Sequence, residues 1–406
     1  MRILLLTQWY PPEPALFIQE LAQDLLSRGH EVTVLTGFPN YPAGKLYPGY
    51  QLHLWQREIL GGVPIIRVPL YLDHSLSRIK RVLNYVSFAL SSSALGFWLA
   101  PRPDFIFAYH PPLTIGLPAW ILSRLWGIRF VYQIQDMWPE TLRATGMLKT
   151  RCPLLLVESF ARWTYSKAHS ILVISPGFKK NLIDKGVPPE KVYVVSNWVE
   201  GGIPQCTAKD ELLAQSLGLA NRFSVIYAGN MGEAQGLETV LEAAELLNDL
   251  PQVLFVLIGD GIALPRLKKL LISKGLTNVR FIGRHSPDAM QGIYALADVL
   301  LVHIKDDPLF RITIPHKILV YLGTGKPILA AIAGDAADVI RSAGAGIVCL
   351  PGNPQALASA VRSFVAMSPD ERNTFGECGI HMASTRYSRA TLVTEIEKVL
   401  LQVSEL

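Results

Sequence analysis

The feature that most constrains this chain is a regular alternation of short aliphatic or β-branched runs with longer stretches of helical periodicity. In the first half the predicted strands are Ile3–Leu6, Val32–Thr36, Phe105–Ala108, Phe130–Gln133, Ile171–Ile174 and Tyr193–Val195. In the second half they are Val225–Ala228, Leu254–Ile258, Val279–Phe281, Val299–Val302, Ile328–Ala331 and Ile347–Cys349. Apolar strands separated by helices are typical of parallel sheets covered on both faces. The sequence therefore predicts an α/β protein with doubly wound sheets.

The alternation restarts near residue 200, which divides the chain into two similar halves. The stretch SNWVEGGIP, Ser196–Pro204, is rich in Gly, ends in Pro and is the predicted hinge. We predict Rossmann-like domains over residues 1–198 and 199–380. The segment 381–406 should begin irregularly, over His381–Arg389, and end in a helix, Leu392–Val403, that packs back on the first domain. Ligands of doubly wound domains bind at the carboxyl ends of the strands, so two such domains should face a central cleft.

Composition favours a folded cytoplasmic protein. The 406 residues are 50% hydrophobic, which is ample for two cores. The four cysteines, Cys152, Cys206, Cys349 and Cys378, are scattered and form no C-x-x-C pair, so reduced thiols are expected. The first residues, MRILLLTQWYPP, contain only four aliphatic residues before Thr7, whereas a secretory leader needs about 7–15. We therefore interpret this stretch as a buried first strand.

Charge is unevenly distributed between the halves. Residues 1–195 contain 20 Lys and Arg against 12 Asp and Glu, a balance of +8, and the remainder contains 18 against 21, a balance of −3. This asymmetry indicates that the two halves face different partners.

One amphipathic segment lies within the basic half. In Ser75–Leu90, SLSRIKRVLNYVSFAL, five aliphatic residues follow helical spacing, while Arg78, Lys80 and Arg81 cluster at the start. The serines and the basic cluster argue against a membrane-spanning helix. Two interpretations remain open, a core helix with solvated charges and a helix lying in a bilayer interface.

A glycine-rich turn joins a strand to a helix in the second half. The stretch IYAGNMGEAQGLETVLEAA places Gly229, Gly232 and Gly236 between them, an arrangement that offers backbone N–H groups to phosphate. No Lys or Arg lies in this turn, so the cation must come from elsewhere. Arg311 and Lys317, in a loop after the strand Val299–Val302, could reach the same sheet edge. Alternatively, these two cations pair with Asp306 and Asp307 at the surface.

Two polar residues follow strands of the first half. His110 and Asp136 each lie between a strand and a proline, where an α/β cleft opens, and are the candidate catalytic residues. A structural histidine and a helix cap formed by Asp136 with Glu140 are the alternatives. The sequence contains no D-x-D, no H-E-x-x-H and no cluster of His and Cys, so no metal site is expected. It contains no G-x-S-x-G, which would suggest a hydrolase nucleophile, and no G-x-G-x-x-G after the first strand, which would suggest a dinucleotide site.

Stretches along the whole chain resemble glycosyltransferase family 4 enzymes of the GT-B fold, particularly the bacterial branch of colanic-acid and O-antigen transferases. The stretches are LTQWYPPEP, RGHEVTVLT, IQDMWPETLRATGML, ILVISPGFKKNLIDKGVPPEKVYVVSNWV, YAGNMGEAQGLETVLEAA, VLIGDG, VRFIGRHS and PHKILVYLGTGKPILA. The resemblance implies a transferase that moves a sugar, with retention and without a metal or other cofactor, from a nucleotide-diphosphate sugar to a saccharide acceptor. UDP is favoured and GDP is the alternative. The implied acceptor is polyprenyl-linked at the inner membrane face, in cell-surface polysaccharide synthesis.

Site residues follow from the same resemblance. It assigns Gly229, Asn230, Gly232, Gln235, Gly236, Arg311 and Lys317 to the donor diphosphate, and Gly283, Arg284 and Leu319 to the nucleoside. It assigns His110 to the donor sugar and, with the amphipathic segment, Arg78, Lys80, Arg81 and Tyr85 to the acceptor or membrane.

Several positions depart from the family pattern. The usual turn G-R-x-x-x-x-K-G has Asn230 and Gln235 in place of its two cations. Counting back from Gly325-Lys326-Pro327, the two family glutamates fall on Ile312 and Val320, both aliphatic. The stretch Pro315-His316-Lys317 resembles the P-S-K pattern of this branch, and the resemblance makes Lys317 the best remaining cation for a diphosphate. The loop after the first strand, PPEPAL, also lacks the glycines of many family members.

Three alternatives stay open. A nucleotide-sugar 2-epimerase has the same architecture but needs carboxylates in the cleft. A non-catalytic sugar- or nucleotide-binding protein of the bilobed type is normally exported. Nucleic-acid binding fits the pI of about 8.9 but has no supporting motif. Turnover of a nucleotide sugar in the presence of an acceptor separates them.

Overall fold

The computed structural model describes residues 1–73, 77–144, 150–199, 201–202 and 208–405. The chain divides into two compact units, Met1–Gly201 with Ala390–Leu406, and Gly202–Arg389. The boundary lies three residues beyond the position 198/199 expected from the sequence. Glu200, Ile203 and Pro204 of the predicted hinge, like Cys206, lie outside the described residues.

The first unit is built on an eight-stranded sheet. Its strands are β1 (Arg2–Leu6), β2 (Glu31–Gly37), β3 (Gln56–Leu60), β4 (Val63–Val68), β5 (Phe105–Tyr109), β6 (Arg129–Ile134), β7 (Ser170–Val173) and β8 (Val192–Val194). Their order is β3-β4-β2-β1-β5-β6-β7-β8, and only β3 runs antiparallel to its neighbour. The sequence did not predict β3 and β4, because β3 begins with three polar residues and because Pro64 and Arg67 interrupt the apolar pattern of β4.

The second unit is built on a six-stranded, wholly parallel sheet. Its strands are β9 (Phe223–Ala228), β10 (Val253–Ile258), β11 (Val279–Ile282), β12 (Val299–His303), β13 (Ile328–Ala331) and β14 (Gly346–Cys349). Their order is β11-β10-β9-β12-β13-β14. The twelve predicted strands all occur, each within two residues of its predicted bounds.

Helices cover both sheets. Those of the first unit are α1 (Leu16–Ser27), α2 (Arg78–Leu99), α3 (Gly116–Trp126), α4 (Glu140–Ala144), α5 (Arg151–Lys167) and α6 (Pro176–Asp184). Those of the second are α7 (Glu211–Ser216), α8 (Glu238–Glu245), α9 (Leu264–Ser273), α10 (Pro287–Ala295), α11 (Pro308–Ile312), α12 (His316–Gly323), α13 (Asp335–Ala343), α14 (Pro354–Ala366) and α15 (Pro369–Thr385). Single 3₁₀ turns occur at Leu113–Ile115, Pro189–Lys191 and Glu233–Gln235.

The last helix, α16 (Arg389–Glu405), completes the core of the first unit. Its apolar side chains Leu392, Val393, Ile396, Val399, Leu400 and Val403 lie in one buried cluster with residues of β1, α1 and β2. On its polar side Glu397 accepts hydrogen bonds from Arg28 and pairs with His30, both at 2.7 Å. The expected irregular stretch His381–Arg389 is wrong, because α15 continues to Thr385 and only three residues separate it from α16.

The two sheets bring different side chains to their carboxyl edges. In the first unit β1, β5 and β6 end at Leu6, Tyr109 and Ile134, so Trp9, His110 and Asp136 follow at one edge. In the second unit the ends of β9, β10 and β12 gather the Gly229 turn, the Gly259 turn and the segment after His303.

Candidate functional site

A cleft of about 490 Å³ lies at the carboxyl edge of the second sheet. Its lining residues are Ala228, Gly229, Asn230, Ile258, Gly259, Asp260, Arg284, His285, Met290, Tyr294, His316, Lys317 and Val320. The lining combines apolar side chains and glycines with several polar and charged groups, among them Lys317, Arg284 and Asp260. Polar groups that converge on a partly apolar pocket are typical of a small-molecule site. All of these residues belong to the second unit.

Lys317 is the central cation of this cleft. It is the second residue of α12, where the first amides of a helix have no acceptor within that helix. In the described part of the chain its Nζ is buried without a hydrogen-bond partner and lies 4.1 Å from the ring centroid of Tyr227. Burial lowers the pKa of Lys317 from 10.5 to about 8. A buried cation without a counter-ion is costly, so an anion in this cleft would relieve that cost.

Two glycines allow the backbone to approach Lys317 closely. Gly229 has φ +142°, and a Cβ at this position would lie 2.9 Å from the Lys317 Nζ. At Gly259 a Cβ would lie 2.1 Å from the carbonyl oxygen of Gly229, so the turns after β9 and β10 are in contact. A larger residue at position 229 would fill the space in front of the lysine, and one at position 259 would collide with the Gly229 backbone.

The rest of the glycine turn is organised internally. The Gln235 side-chain oxygen accepts a hydrogen bond from the Gly232 N–H at 3.0 Å, and the Asn230 carbonyl accepts one from the Tyr227 hydroxyl at 2.6 Å. Gly236 has the left-handed conformation that ends the 3₁₀ turn. Gln235, Gly232 and Gly236 are not among the lining residues of the cleft. Gln235 thus closes the turn, whereas Asn230 lines the cleft.

His303, which the sequence reasoning missed, supports this turn from β12. Its Nδ1 lies 2.6 Å from the Gln235 carbonyl oxygen and therefore donates to it, and its Nε2 lies 3.5 Å from the Gly352 N–H. The residue is fully buried, and burial lowers its pKa. A neutral Nδ1–H tautomer satisfies both contacts.

Arg311 is a correction to the predicted diphosphate site. It lies in α11 rather than in a loop, and its guanidinium forms a bidentate pair with Asp306 at 2.5 and 2.6 Å on the surface. It does not line the cleft around Lys317. The alternative of a surface ion pair therefore holds for Arg311 but not for Lys317, and Asp307 instead caps α11 through the Leu309 N–H.

Of the three predicted nucleoside residues, the structure places one in the cleft and two outside its lining. Arg284 lines the cleft with an exposed side chain, 3.7 Å from Asp260. Gly283 precedes it at the exposed end of β11, and Leu319 is buried on the other side of α12. Leu319 is therefore a core residue, and its predicted contact with a nucleoside is wrong. The apolar wall of the cleft is formed instead by Met290, Tyr294 and Val320.

One lining residue that the sequence reasoning missed, Asp260, had a usable signal in the sequence, whereas Tyr294 and Met290 had none. Asp260 follows β10, the neighbour of β9, so strand order alone would have placed it beside Gly229. Tyr294 and Met290 come from α10, whose packing against this edge depends on tertiary structure and has no local signature.

His110 lies buried at the edge of the first sheet. It is 1% exposed, neither ring nitrogen has a hydrogen-bond partner among the described residues, and burial lowers its pKa to about 3. Asp136 is exposed, although the protein around its carboxyl group raises its pKa by desolvation. Glu140 begins α4 and forms an ion pair with Lys185, so its carboxylate already has a partner within the first unit.

The loop after β1 already contains an internal anion. The buried Glu13 carboxylate accepts hydrogen bonds from the N–H groups of Tyr10, Asn40 and Tyr41 at 3.0, 2.9 and 2.8 Å. Burial raises the pKa of Glu13 to about 7, against the effect of these hydrogen bonds. One of these N–H groups lies in the loop after β1 and two lie in the loop after β2, so the Glu13 carboxyl group links the two loops and occupies amides at this edge of the sheet.

The predicted acceptor- or membrane-facing residues lie on two faces of α2. Lys80 is exposed and lies 3.4 Å from Asp73, while Arg81 and Tyr85 are half-buried on the side that carries the buried Asn84. The side chain of Arg78 lies outside the described residues.

The outer face of α2 is apolar. Its exposed side chains are Ile79, Val82, Leu83, Val86, Leu90 and Trp98, spaced mainly by three or four residues. Among the described residues this is also the helix, Ile79–Leu99, that is long and apolar enough to cross a membrane, with 33% of its most apolar stretch buried. Core helices of soluble proteins can meet the same criterion of length and composition.

Comparison with known proteins identifies the family. Residues 14–198 match the model of the glycosyl transferase 4-like domain, and residues 209–382 match that of glycosyl transferases group 1. WcaI of Escherichia coli K12, whose name assigns it to colanic acid biosynthesis as a glycosyl transferase, is 31% identical over 89% of this chain and 91% of its own. The alpha-galactosylglucosyldiacylglycerol synthase of Streptococcus pneumoniae R6 is 28% identical over 43% of this chain and 46% of its own.

Among solved structures, HepE of Anabaena, crystallised with UDP, superposes with a TM-score of 0.73 at 18% identity, covering 99% of this chain and 100% of HepE. This likeness shows the fold, which is GT-B. The chain belongs to the glycosyltransferase family defined by the 4-like and group 1 domains. The predicted family and fold class are therefore confirmed.

Proposed function

We propose that this protein transfers a sugar from a nucleoside diphosphate sugar to a lipid-linked saccharide acceptor in cell-surface polysaccharide synthesis. UDP is the favoured nucleotide and GDP the alternative. Transfer proceeds with retention and without a metal or other cofactor. The role in polysaccharide synthesis is supported by the similarity to WcaI, whose name places it in colanic acid biosynthesis.

The observation that carries this proposal is the buried Nζ of Lys317, which faces the Gly229 turn and has no hydrogen-bond partner in the part of the chain that the structure describes. A diphosphate there would receive a charge-assisted hydrogen bond from Lys317 and further ones from the amides at the start of α12. The nucleoside would lie along Tyr294, Met290 and Val320, with Arg284 at the rim. Arg311 and Leu319 have no part in this binding.

The preference for UDP and for a lipid-borne acceptor rests on relatives. HepE was crystallised with UDP, and the name of the S. pneumoniae relative describes a glycosylated diacylglycerol as its product. The first observation supports a uridine nucleotide donor for this chain, and the second supports an acceptor that is held in a membrane.

The chemistry asked of the protein is chiefly electrostatic. In a retaining transfer without a protein nucleophile, the acceptor oxygen attacks the anomeric carbon from the face that the diphosphate leaves. The C–O bond to the diphosphate breaks as the new glycosidic bond forms, and the departing diphosphate takes the acceptor proton. Lys317 and the helix amides stabilise the charge on the leaving oxygen. A neutral His110 can donate a hydrogen bond to the donor sugar but cannot supply a cation near neutral pH.

The deciding experiment is thermal-shift binding of UDP, GDP and ADP to the wild type, Lys317→Ala and the control Lys305→Ala, which removes an exposed cation. Stabilisation by UDP that is lost only in Lys317→Ala supports the proposal. If no nucleotide stabilises the wild type, or if the response survives in Lys317→Ala, the donor site is not the one proposed.

Stereochemistry and metal independence have separate tests. Proton NMR of the product formed from a UDP-sugar should show the anomeric configuration of the donor, and turnover should survive EDTA. An inverted product would overturn the retaining mechanism, and recovery of activity only on adding Mg²⁺ or Mn²⁺ would overturn metal independence.

Localisation at the inner face of the cytoplasmic membrane is part of the proposal. On the outer face of α2 the side chains of Ile79 and Trp98 are 74% and 80% exposed, while the opposite face packs against the first unit. A helix packed in this way is suited to lie in a bilayer interface rather than to cross the membrane. The basic residues at its start and the positive balance of the first half favour an anionic lipid surface.

Co-sedimentation with vesicles of phosphatidylglycerol and phosphatidylcholine tests this docking. Leu83→Glu combined with Leu90→Glu should reduce binding about tenfold or more, because two charges enter the exposed apolar face that is proposed to insert into the bilayer interface. The matched control, Leu212→Glu with Ile272→Glu, places the same charges on exposed apolar positions of the second unit and should bind as the wild type does. Equal binding by both double variants would exclude α2 as the docking surface.

A further inference from the structure

The strand β3 forms an outer edge of the first sheet. It pairs with β4 on one side, and the strand order of the described chain places no strand on its other side. A free edge of this kind presents backbone N–H and C=O groups that can pair with another strand. The strand and the residues before it also expose apolar side chains, which are Leu52, Leu54, Trp55, Ile59 and Leu60. We call residues 52–60 the β3 edge.

The other three sheet edges of the described chain are better protected. They are formed by β8, β11 and β14, which have three or four residues each, against five in β3. None of these three strands contains a large apolar residue with an exposed side chain. The edge at β11 is in addition crossed by Arg280, which donates a hydrogen bond to the Leu217 carbonyl at the end of α7. Proteins normally shorten, charge or cover their sheet edges, which prevents pairing with other chains.

The turn between β3 and β4 determines which backbone groups point to the free edge. Gly61 and Gly62 form a two-residue hairpin loop, with φ of +58° and +82°. Across such a loop the carbonyl of Leu60 accepts a hydrogen bond from the N–H of Val63. Hydrogen-bonded pairs alternate along an antiparallel ladder, so Leu60 and every second residue before it direct their N–H and C=O groups to β4. The residues between them direct theirs outward.

The outward groups belong to Arg57 and Ile59. Pro64 lies opposite Ile59 on β4 and has no N–H to donate, which agrees with this pattern. The Arg57 side chain donates to the carbonyl of Leu99, the last residue of α2, at 2.6 Å. Because side chains alternate between the faces of a strand, Trp55, Arg57 and Ile59 all lie on the face of the sheet that α2 covers.

We propose that two copies of this chain associate through the β3 edge, with β3 of one copy antiparallel to β3 of the other. With Arg57 on the two-fold axis, the outward N–H and C=O groups of each strand meet those of its counterpart. Trp55 then lies opposite Ile59 of the second copy, and an aromatic residue opposite a β-branched one is a favourable cross-strand pair. The pairing joins the first sheets of the two copies into one continuous sheet.

The charged side chains of β3 are held against their own copy. The Arg57 guanidinium, bound to the Leu99 carbonyl, lies 5.7 Å from the centroid of the Trp55 ring. Glu58, on the opposite face, pairs with the buried Arg67 at 2.7 Å. Neither charge has to lose its present contact when the strands pair. The pairing therefore carries no large electrostatic cost.

The size of the contact suits a dimer of moderate affinity. The exposed apolar side chains and the paired backbones would bury on the order of 1,000 Å² over both copies, the lower end for a specific interface. We therefore expect a dissociation constant of about 10 µM. Since each copy has one such edge and the axis is two-fold, association should stop at two copies.

The symmetry is also compatible with the proposed membrane docking. A two-fold axis perpendicular to the sheet leaves each face of the sheet on the same side in both copies. The two α2 helices therefore lie on one side of the joined sheet, where both can contact the same bilayer. The dimer itself needs no lipid.

Sedimentation velocity of the full chain, without lipid, tests this pairing. Between about 1 and 100 µM the wild type should convert from monomer to dimer. Ile59→Lys should raise the dissociation constant about tenfold or more, because it buries a cation of each copy at the paired edge. Ile59→Pro should have a similar effect by removing an outward N–H, while the hydrogen bonds between β3 and β4 are kept.

The matched control is Leu156→Lys in α5, because the side chains of Leu156 and Ile59 are both 73% exposed and lie in the same unit. This variant should dimerise as the wild type does. Trp55→Ala tests the register and should weaken the dimer about fivefold, through loss of two cross-strand contacts.

Four results would overturn the proposal. They are a monomer at every concentration, a dimer that persists in both Ile59 variants, a dimer lost equally in Leu156→Lys, and growth of species beyond the dimer. Vesicle co-sedimentation of the same proteins identifies the competing occupant, a bilayer. If the wild type stays monomeric and Ile59→Lys alone loses vesicle binding, the β3 edge contacts lipid and the dimer is excluded.

Discussion

The carboxyl edges of the two sheets are formed in the same way, by the ends of parallel strands, but they carry different chemical groups. In the second unit the edge holds the buried cation of Lys317, which no anion of the described residues neutralises. In the first unit the corresponding edge already contains the Glu13 carboxylate, whose hydrogen bonds use the nearby backbone amides, and it presents aromatic rings instead.

This difference teaches how one architecture can serve two kinds of ligand. An unneutralised buried cation favours a strongly anionic group such as a diphosphate, because binding removes an electrostatic cost. An edge whose amides are satisfied internally offers little to phosphate, and rings with a few polar groups favour a neutral, amphipathic ligand.

The largest expected effect concerns the cation. Lys317→Met should weaken UDP binding about 100-fold, the loss of a charge-assisted contact worth about 3 kcal/mol. The same change should stabilise the protein without nucleotide by about 1–3 kcal/mol, because an unpaired buried charge is removed. Calorimetric titration and urea unfolding measure the two effects. Lys305→Met, an exposed cation, should change neither, and a destabilised Lys317→Met protein would contradict the assignment.

The second effect concerns the neutral histidine. Burial lowers the pKa of His110 to about 3, so the unfolded chain binds its proton first as the pH falls below about 6.5. The free energy of unfolding is therefore unaffected by this histidine above that pH and decreases as the pH falls toward 3. The decrease amounts to about 2–3 kcal/mol near pH 4. His110→Gln should remove this part of the acid sensitivity in urea unfolding. His381→Gln, at an exposed position, is the control, and parallel acid profiles for wild type and His110→Gln would refute the prediction.

A smaller effect is the pH dependence of nucleotide binding. Because burial lowers the pKa of Lys317 to about 8, the lysine is charged below that pH and loses its proton above it. UDP affinity should therefore fall about tenfold between about pH 7 and pH 9, and binding should take up a proton at the higher pH. Titrations in buffers of different ionisation enthalpy detect that proton. In Lys317→Met this dependence should disappear; its persistence there would assign it to another group.

The smallest effect is expected at the surface pair. Arg311→Gln should change UDP affinity less than about twofold, since Arg311 is bound to Asp306 outside the cleft and exposed pairs contribute little. A tenfold loss in the same titration would return Arg311 to the diphosphate site and weaken the contrast between the two edges.

Much of this organisation could be predicted from the sequence because it depends on local periodicity. The strands on both sides of Gly229 and the helix after it follow from apolar patterning. The importance of Lys317 was implied by the resemblance of Pro315-His316-Lys317 to the pattern of the family branch, in a chain whose Asn230 and Gln235 replace the cations of the family turn. Arg311 carried an equally suggestive charge, and only its pairing with Asp306 shows that it points elsewhere.

The sequence by itself determined the two α/β halves, the family and the scarcity of cations in the glycine turn, since these depend on residue order and short-range pattern. Only the tertiary structure decided that the Lys317 Nζ is buried without a hydrogen-bond partner among the described residues, and that Glu13 binds amides of the loops after β1 and β2. It also decided that Trp9, Tyr85 and Trp138 meet. The physical reason is that burial and pairing depend on groups far apart in the chain, which strand order brings to one edge.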